Sequence, residues 1–300
     1  MKITFCMLAA LLIQGCDEVP AGRETPATSD ASSAVCEVIQ SAEALPMGLE
    51  ESSGVVVSRR DPDLLWTHND SGWPAEIFSI TKDGALVARV PVRNADSVDW
   101  EDIAWGPCPG GDCLYIADIG DNRGVRDRVS VYRLPEPDPR GGEAWASERF
   151  EMRYPDGGRD AEGLFVLASG EMYIVSKGTR RAAALYRYPL PLRPGQVVEL
   201  ELVRALSDEP LELLDQLTAA DVSPSGEWLG IRSYRSLAIY RTAAFIGGDT
   251  IPAIRFDLED VEEVQGEGLA VMDDGRVYLT GEAGFEDARG TVSILECRLP

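Results

Sequence analysis

Short apolar runs separated by polar turns recur along most of the chain and predict its secondary structure. Valine, isoleucine, leucine and aromatic residues alternate with polar ones over lengths that are typical of strands rather than helices. Five such runs follow acidic or polar residues, at residues 51–57, 99–105, 160–166, 216–222 and 265–271. Their starts lie about 50 residues apart, which indicates an internal repeat.

Each repeat continues with further predicted strands after turns rich in glycine, aspartate or proline. Second strands are predicted at residues 64–70, 114–121, 172–178, 228–234 and 277–283. Third strands are predicted at residues 76–80, 129–134, 183–188, 237–241 and 292–296. Fourth strands are predicted at residues 86–92, 148–154, 198–203 and 252–256, so that the first four repeats have four strands each.

The fifth repeat has three strands, because the sequence ends at Pro300. Residues 34–39 are apolar and alternating, and they can supply the missing strand. About 50 residues with four strands per repeat are typical of a propeller blade. We therefore predict an all-β fold over residues 35–300, a five-bladed β-propeller closed by an N-terminal strand, and this closure protects the edges of the sheets.

The first residues resemble an export signal. Lys2 precedes an apolar run that ends in Leu-Ile-Gln-Gly before Cys16, and this run is shorter than the ~20 residues of a membrane-spanning helix. The run resembles a bacterial lipobox, which implies a signal peptide over residues 1–15 and lipidation of Cys16. The alternative is ordinary cleavage that leaves Cys16 as a plain thiol. Residues 16–34 are small and polar and predict a flexible tether. The expected location is therefore outside the cytoplasm, on a bacterial membrane that is contacted through the lipid anchor alone.

Four cysteines remain in the predicted domain. Cys108 and Cys113 bracket a Pro-Gly-Gly-Asp turn, where a local disulfide would fit. Cys36 lies on the predicted closing strand and Cys297 on its expected neighbour, so a second disulfide would staple the ring. The alternative for this distant pair is two unrelated thiols.

The composition limits the partners of the protein. A net charge of -23 argues against nucleic acid, which requires a basic surface, and against anionic lipid headgroups. We expect a monomer whose partner is a small molecule or an envelope protein.

The repeat alignment predicts where polar side chains converge. The start of the first strand and the end of the second lie on the same face of a propeller, because the two strands are antiparallel. Residues i and i+2 of a strand point to the same side. One rim of the channel should therefore collect many carboxylates, which need cations, shared protons or basic side chains.

We interpret this rim as a site for a cation, with Ca²⁺ as the expected ion because the donors are oxygen atoms. The predicted metal ligands are Asp99, Glu101, Asp118, Asp160, Glu162, Glu267 and Glu282. The predicted contacts to a further ligand are His68, Asn69, Asp70, Lys177 and Arg232. The alternative is that the acids cap strand ends by accepting hydrogen bonds from backbone N–H groups, with Lys177 and Arg232 as counterions.

Four motifs carry a resemblance to a known group of proteins. HNDSG at residues 68–72, DWEDIA at 99–104, YIADIGDN at 115–122 and DAEGL at 160–164 look like those of secreted bacterial β-propeller proteins of unassigned activity. DAEGL followed by MYIVS at residues 172–176 is more distantly similar to β-propeller phytases.

The resemblance to phytases implies phosphoester hydrolysis with Ca²⁺ and basic side chains, and Asp160, Glu162 and Lys177 match in residue type. The chain departs from that family in having five predicted blades instead of six, few basic residues at the rim and no full set of its calcium motifs. The resemblance supports the fold and not the phytase activity.

The sequence leaves three classes of function open. The leading hypothesis is a lipid-anchored propeller with an acidic rim that binds a cation or small ligand. The enzyme alternatives are metal-assisted phosphoester hydrolysis and glycoside hydrolysis by a carboxylate pair. The third class is an envelope scaffold, and fold alone does not choose among them.

Overall fold

A computed structural model describes residues 35–284 and 289–300. The predicted signal peptide, the predicted lipidation site Cys16 and the predicted tether all lie outside these residues. In chain order the strands are β1 (Cys36–Ala44), β2 (Ser52–Val57), β3 (Leu64–Asn69), β4 (Glu76–Thr81), β5 (Leu86–Arg93), β6 (Trp100–Cys108), β7 (Gly111–Asp118), β8 (Val129–Pro135), β9 (Ala144–Trp145), β10 (Glu148–Arg153), β11 (Ala161–Val166), β12 (Met172–Ser176), β13 (Ala184–Tyr188), β14 (Val197–Glu199), β15 (Glu201–Ala205), β16 (Leu217–Val222), β17 (Trp228–Ser233), β18 (Ser236–Arg241), β19 (Ile254–Asp257), β20 (Gln265–Val271), β21 (Arg276–Glu282) and β22 (Thr291–Cys297).

Helical structure within the described part of the chain is limited to short segments between strands. They are α1 (Thr242–Ile246) and the 3₁₀ turns Leu213–Asp215 and Glu259–Val261. No helix among these residues is long and apolar enough to cross a membrane.

The described strands form five sheets, and each sheet is one blade. The innermost strands are β2, β6, β11, β16 and β20. Each of them contacts the next around a ring, and β20 contacts β2. The chain is therefore a five-bladed β-propeller, as the repeat predicted.

The first strand of the domain completes the last blade. β1 pairs with β22 in antiparallel orientation, outside β21 and β20, and Cys36 lies opposite Cys297. These two cysteines form a disulfide. Cys108 and Cys113 form a second disulfide across the β6–β7 turn. Both predicted bridges are present.

Two blades contain a strand that the sequence analysis missed. β9 pairs in parallel with β5, and β14 pairs in parallel with β10, so the first and second blades have five strands each. The fourth strand predicted at residues 198–203 is in fact divided between β14 and β15. Leu200 lies at the division and is buried in the apolar layer between the second and third blades. Its burial leaves the residues on either side to pair with different sheets.

The apolar core lies between neighbouring blades. Among the described residues it forms five clusters, and each cluster joins the facing surfaces of two adjacent sheets. Because both faces of a blade are covered, β2, β3, β11, β12 and β17 are buried along their whole length. This double burial explains why the strands appear in the sequence as short continuous apolar runs.

Candidate cation site in the channel mouth

Every inner strand contains a bulge at the same position. The register between the first and second strands of each blade shifts between Ser52 and Val55 in the first blade and at equivalent positions in the other four. A bulge adds one unpaired residue and redirects its side chain. The residues at these positions, which we call the bulge ring, are Ser53, Glu101, Glu162, Thr218 and Glu267. All five are buried.

The glutamates of the bulge ring line a cavity of about 200 Å³ in the channel mouth, and every residue that lines it is polar. The lining residues are Glu51, Asp70, Glu101, Asn122, Glu162, Lys177, Tyr234, Gln265, Glu267 and Glu282. Six of them carry a carboxyl group and one, Lys177, carries an ammonium group. The cavity therefore has an excess of negative charge when its acids are ionised.

Two groups of three carboxylates lie close enough to share an ion. Asp70, Asp99 and Glu101 each offer an oxygen atom, and these atoms lie within 4.8 Å of one another. Glu101, Asp160 and Glu162 form a second such group with the same limit. Glu101 belongs to both, so the two groups are continuous. Four of the predicted metal ligands, together with Asp70, are therefore brought together in space.

Burial changes the proton affinity of these acids. It raises the pKa of Glu162 to about 7 despite the nearby charge of Lys177. Burial, with the charges of neighbouring carboxylates, raises the pKa of Asp70 to about 9 and that of Glu282 to about 8. The pKa of Glu101 also lies well above its usual range, chiefly through burial. Asp70, Glu101 and Glu282 therefore retain protons at neutral pH unless a cation replaces the protons.

Lys177 is the counterion of the cavity. Its Nζ atom donates a hydrogen bond to Glu162 Oε1 at 2.8 Å and lies 5.5 Å from the ring centre of Tyr234. Burial lowers the pKa of Lys177, but the charges of Glu162 and Glu267 outweigh it and raise the pKa. The lysine is therefore protonated and neutralises one carboxylate only.

Two further predicted ligands belong to the other side of the cavity. Gln265 Nε2 donates to Glu267 Oε1 at 2.9 Å and to Glu282 Oε2 at 2.6 Å. The second oxygen of Glu267 is buried and has no hydrogen-bond partner among the described residues, and the same is true of Thr218 Oγ1. Unsatisfied buried oxygens in the bulge ring indicate an unfilled capacity for a donor or a cation.

The backbone at Gly120 leaves space for the carboxylate groups. A Cβ atom there would lie 2.6 Å from Asp99 Cγ and would overlap Glu101 Oε1. Any other residue would therefore displace the two acids. The glycine of the YIADIGDN motif is explained by this close approach.

Asn69 and Asp118 occupy equivalent positions in two blades and serve the backbone instead of the cavity. Asn69 Oδ1 accepts a hydrogen bond from the N–H of Glu51, and Asp118 Oδ1 accepts one from the N–H of Asp99, each at 3.1 Å. Asp118 is also paired with Arg126 at 2.8 Å. For these two residues the strand-capping alternative describes the structure.

Arg232 and His68 also lie away from the cavity. Arg232 is fully buried and donates to Gly268 O at 2.7 Å and to Glu263. His68 Nδ1 lies 3.0 Å from Asn69 O, and burial lowers the pKa of its imidazole to about 4. Neither side chain lines the cavity, and both are held by neighbouring groups.

Tyr234 lines the cavity, although it was not predicted from the sequence as a site residue. β16 and β17 pair Leu217 with Ser233, as β11 and β12 pair Ala161 with Ser176. Tyr234 is therefore the counterpart of Lys177, and both follow a serine that ends the second strand. The repeated Ser-Lys and Ser-Tyr pairs were the available signal.

The known proteins that are similar to this chain are solved structures of low sequence identity. No protein-family model and no curated protein sequence matches the chain. The structure is similar to hydrazine synthase from Kuenenia stuttgartiensis, at 16% identity and TM-score 0.37, over 77% of this chain and 56% of that one. The chain thus spans little more than half the length of that protein.

Two further solved structures are similar to a comparable degree. One is a catalytically inactive virginiamycin B lyase from Staphylococcus aureus with quinupristin, at 13% identity, TM-score 0.40, and coverage of 84% of this chain and 68% of that one. The other is an oxidoreductase described as a glucose dehydrogenase from Thermus thermophilus, at 11% identity, TM-score 0.45, and coverage of 87% and 99%. The class to which the chain can be assigned is therefore that of the five-bladed β-propellers, from its own sheet topology.

Proposed function

We propose that this chain is an exported, lipid-anchored β-propeller that binds a divalent cation, Ca²⁺, in the mouth of its channel. The observation that supports the cation site is the position of Glu101, which belongs to both groups of three carboxylates. A cation placed beside Glu101 would contact oxygens from two adjacent blades. It would replace the protons that the buried acids otherwise retain, and its charge would balance the carboxylates that Lys177 does not pair with.

The donor set favours Ca²⁺ over transition metals. The clustered donors are carboxylate oxygens, whereas the described cysteines are in disulfides and the single histidine is bonded elsewhere. Ca²⁺ accepts six to eight oxygen ligands in flexible geometry, while Mg²⁺ requires a nearly ideal octahedron. A cavity formed by long glutamate side chains suits the larger and less demanding ion.

Thermal unfolding with and without Ca²⁺ tests the proposal. Binding to the folded state alone stabilises it by about 2.7 kcal/mol when the ion is at 100 times its Kd. We expect the melting temperature to rise with Ca²⁺, to return to its starting value on chelation, and to rise less with Mg²⁺ at the same concentration. An unchanged melting temperature at millimolar Ca²⁺ would refute the cation site.

The export and anchoring of the chain have separate support. Two disulfides are expected in an oxidising compartment and not in the cytosol, and the residues before Cys16 resemble a lipobox. Mass spectrometry of the mature N-terminus tests the anchor. A diacylglyceryl group on Cys16 is expected, and an unmodified cysteine would rule out lipidation.

Metal-assisted phosphoester hydrolysis is a second candidate function. Its support is that Lys177 lies in the same cavity as the carboxylates, so that a cation and an ammonium group would face one bound phosphate. Glycoside hydrolysis is a third candidate, for which Glu101 and Glu162, with oxygens within 4.8 Å of each other, would be the carboxylate pair. A panel of phosphoester substrates tests the phosphoester hydrolase. We expect the wild type to hydrolyse at least one of them and Glu162→Gln to lose this activity. A wild type that is inactive on the whole panel would exclude phosphoester hydrolysis.

A further inference from the structure

A second pocket, of about 210 Å³, lies beside the acidic cavity, at the junction of the second and third blades. Three loops form it, and they follow β7, β10 and β12. Arginines from all three loops line it, at positions 123, 159, 180 and 181. In a protein with a net charge of -23, such a concentration of guanidinium groups is a local reversal of the prevailing charge.

The two acids of this pocket are engaged by the backbone. Asp121 accepts hydrogen bonds from the N–H groups of Val125 and Arg126 at 3.0 and 2.7 Å. Asp160 Oδ1 accepts one from the N–H of Asp121 at 2.9 Å. These bonds hold the first two loops against each other and satisfy the carboxylates without the arginines.

Two of the four arginines form ion pairs or hydrogen bonds with other described residues, and two do not. Arg159 pairs with Asp156 and donates to Ala182 O at 2.9 Å, and Arg181 donates to Asp156 O at 2.5 Å. For Arg123 and Arg180, residues 35–284 and 289–300 provide no ion-pair partner within 4.0 Å and no hydrogen-bond acceptor. These two positively charged side chains border the pocket and have no partner among those residues. Both can therefore bind an anion there.

Close packing of the loops determines the shape of the pocket. A Cβ atom at Gly158 would lie 2.7 Å from Gly124 O, so the first two loops touch through backbone atoms. Arg180 packs over Gly124, with its Cδ atom 4.0 Å from where a Cβ would stand. The third loop therefore closes over the first, and the space that remains is smaller than the ~300 Å³ at which pockets for drug-sized ligands begin.

We propose that this pocket binds a tetrahedral oxyanion, a phosphate or sulfate group carried by a small molecule. The planar guanidinium group matches such oxygens with paired hydrogen bonds. A volume of about 210 Å³ accepts the anionic group while the rest of the molecule extends outwards. Binding needs no metal ion.

Asp160 links this pocket to the acidic cavity. It lines the pocket and also belongs to the group of Glu101, Asp160 and Glu162. An ion bound there would lie next to the anion and would strengthen its binding. This coupling rests on the proposed function, whereas the anion pocket itself does not.

A ³¹P NMR titration of glycerol 2-phosphate against the purified protein tests the pocket, first without and then with Ca²⁺. The informative variant is Arg123→Gln with Arg180→Gln, because both side chains are exposed and have no partner among the described residues. Arg60→Gln with Arg255→Gln is the matched control, since both arginines are exposed and lie outside the pocket. Circular dichroism and the melting temperature report whether each variant is folded, and the single variants replace the double one if it is not.

We expect saturable binding to the wild type, about tenfold or more weaker binding to the pocket variant and unchanged binding to the control. Sulfate should compete, and acetate should not. Equal affinity of the wild type and the pocket variant, or no saturable binding at all, would overturn the pocket. Competition by acetate equal to that of sulfate would overturn the tetrahedral class. An affinity that Ca²⁺ leaves unchanged would refute the coupling alone.

Discussion

Glu101 and Glu162 occupy the same bulge position in two neighbouring inner strands, β6 and β11, and their carboxylates belong to one group with oxygens within 4.8 Å of one another. Two buried glutamates at this distance repel each other when both are ionised. Without a bound cation this arrangement lowers the stability of the folded protein, and a bound cation would offset that cost.

Replacing Glu101 with glutamine should separate stability from cation binding. Without Ca²⁺ the folded protein keeps Glu101 protonated, and this costs free energy at neutral pH because the same carboxyl group ionises in the unfolded chain. The neutral amide removes that cost, so Glu101→Gln should unfold at a higher temperature than the wild type without Ca²⁺. It should also lose most of the rise that Ca²⁺ produces, because Glu101 is common to both carboxylate groups. Differential scanning calorimetry measures both effects.

Glu201→Gln is the control for this change, since Glu201 is exposed on β15. It should respond to Ca²⁺ as the wild type does. A Glu101→Gln protein that retains the full Ca²⁺ response would contradict the assigned role of Glu101.

Replacing Gly120 with alanine should damage the same site from the backbone side. The new methyl group would overlap Glu101 and approach Asp99, and such overpacking typically costs ~1–3 kcal/mol. We expect a lower free energy of unfolding in urea and weaker Ca²⁺ binding by calorimetry. Unchanged Ca²⁺ affinity in a folded Gly120→Ala protein would show that these two acids are not ligands.

The two disulfides should differ in their contribution to stability. Cys36 and Cys297 are separated by 261 positions and Cys108 and Cys113 by 5. The chain-entropy estimate is about 5 kcal/mol for the long loop and about 2 kcal/mol for the short one. Serine pairs at each bridge, compared by urea unfolding, should therefore rank in this order. The reverse order would mean that ring closure does not limit stability.

Asp221 should make stability depend on pH. Its carboxylate accepts the Val271 N–H at 2.7 Å in the next inner strand, and burial raises its pKa to about 7. In the unfolded chain the pKa is about 4. Between these values the unfolded state loses the proton and the folded state keeps it. The stabilising contribution is therefore complete below about pH 4 and is lost as the pH rises towards 7.

Asp221→Asn removes this ionisation. The difference in free energy of unfolding between variant and wild type should shift in favour of the variant by ~1.4 kcal/mol per pH unit across that interval. Urea unfolding at pH 5 and pH 8 measures the shift. Parallel stabilities of the two proteins at both pH values would show that Asp221 does not titrate in this interval.

The blade pattern could be predicted from the sequence because both faces of each sheet are buried. This burial produces short apolar runs whose spacing is preserved in all five repeats. β9 and β14 could not be predicted in the same way. They have two and three residues, and their pairing depends on which neighbouring sheet the chain reaches after leaving its own.

The site could be predicted as far as strand position determines side-chain direction. Asp99, Glu101, Asp160 and Glu162 were found because they precede or occupy the bulges. Arg232 was assigned to the rim, but the strand register places it two residues before Tyr234, which is the counterpart of Lys177 in the cavity. The arginine pocket was not predicted because its residues lie in three loops, whose mutual approach depends on backbone contacts such as that of Gly158 with Gly124.

The closing strand also has a mechanical consequence. A pulling force applied to the chain ahead of Cys36 enters the domain at the first residue of β1, directly at the bond to Cys297. Without that bond the hydrogen bonds between β1 and β22 would open one after another from this end. With it, the covalent bond transfers the load to the last strand, and the propeller can be held under tension without unzipping.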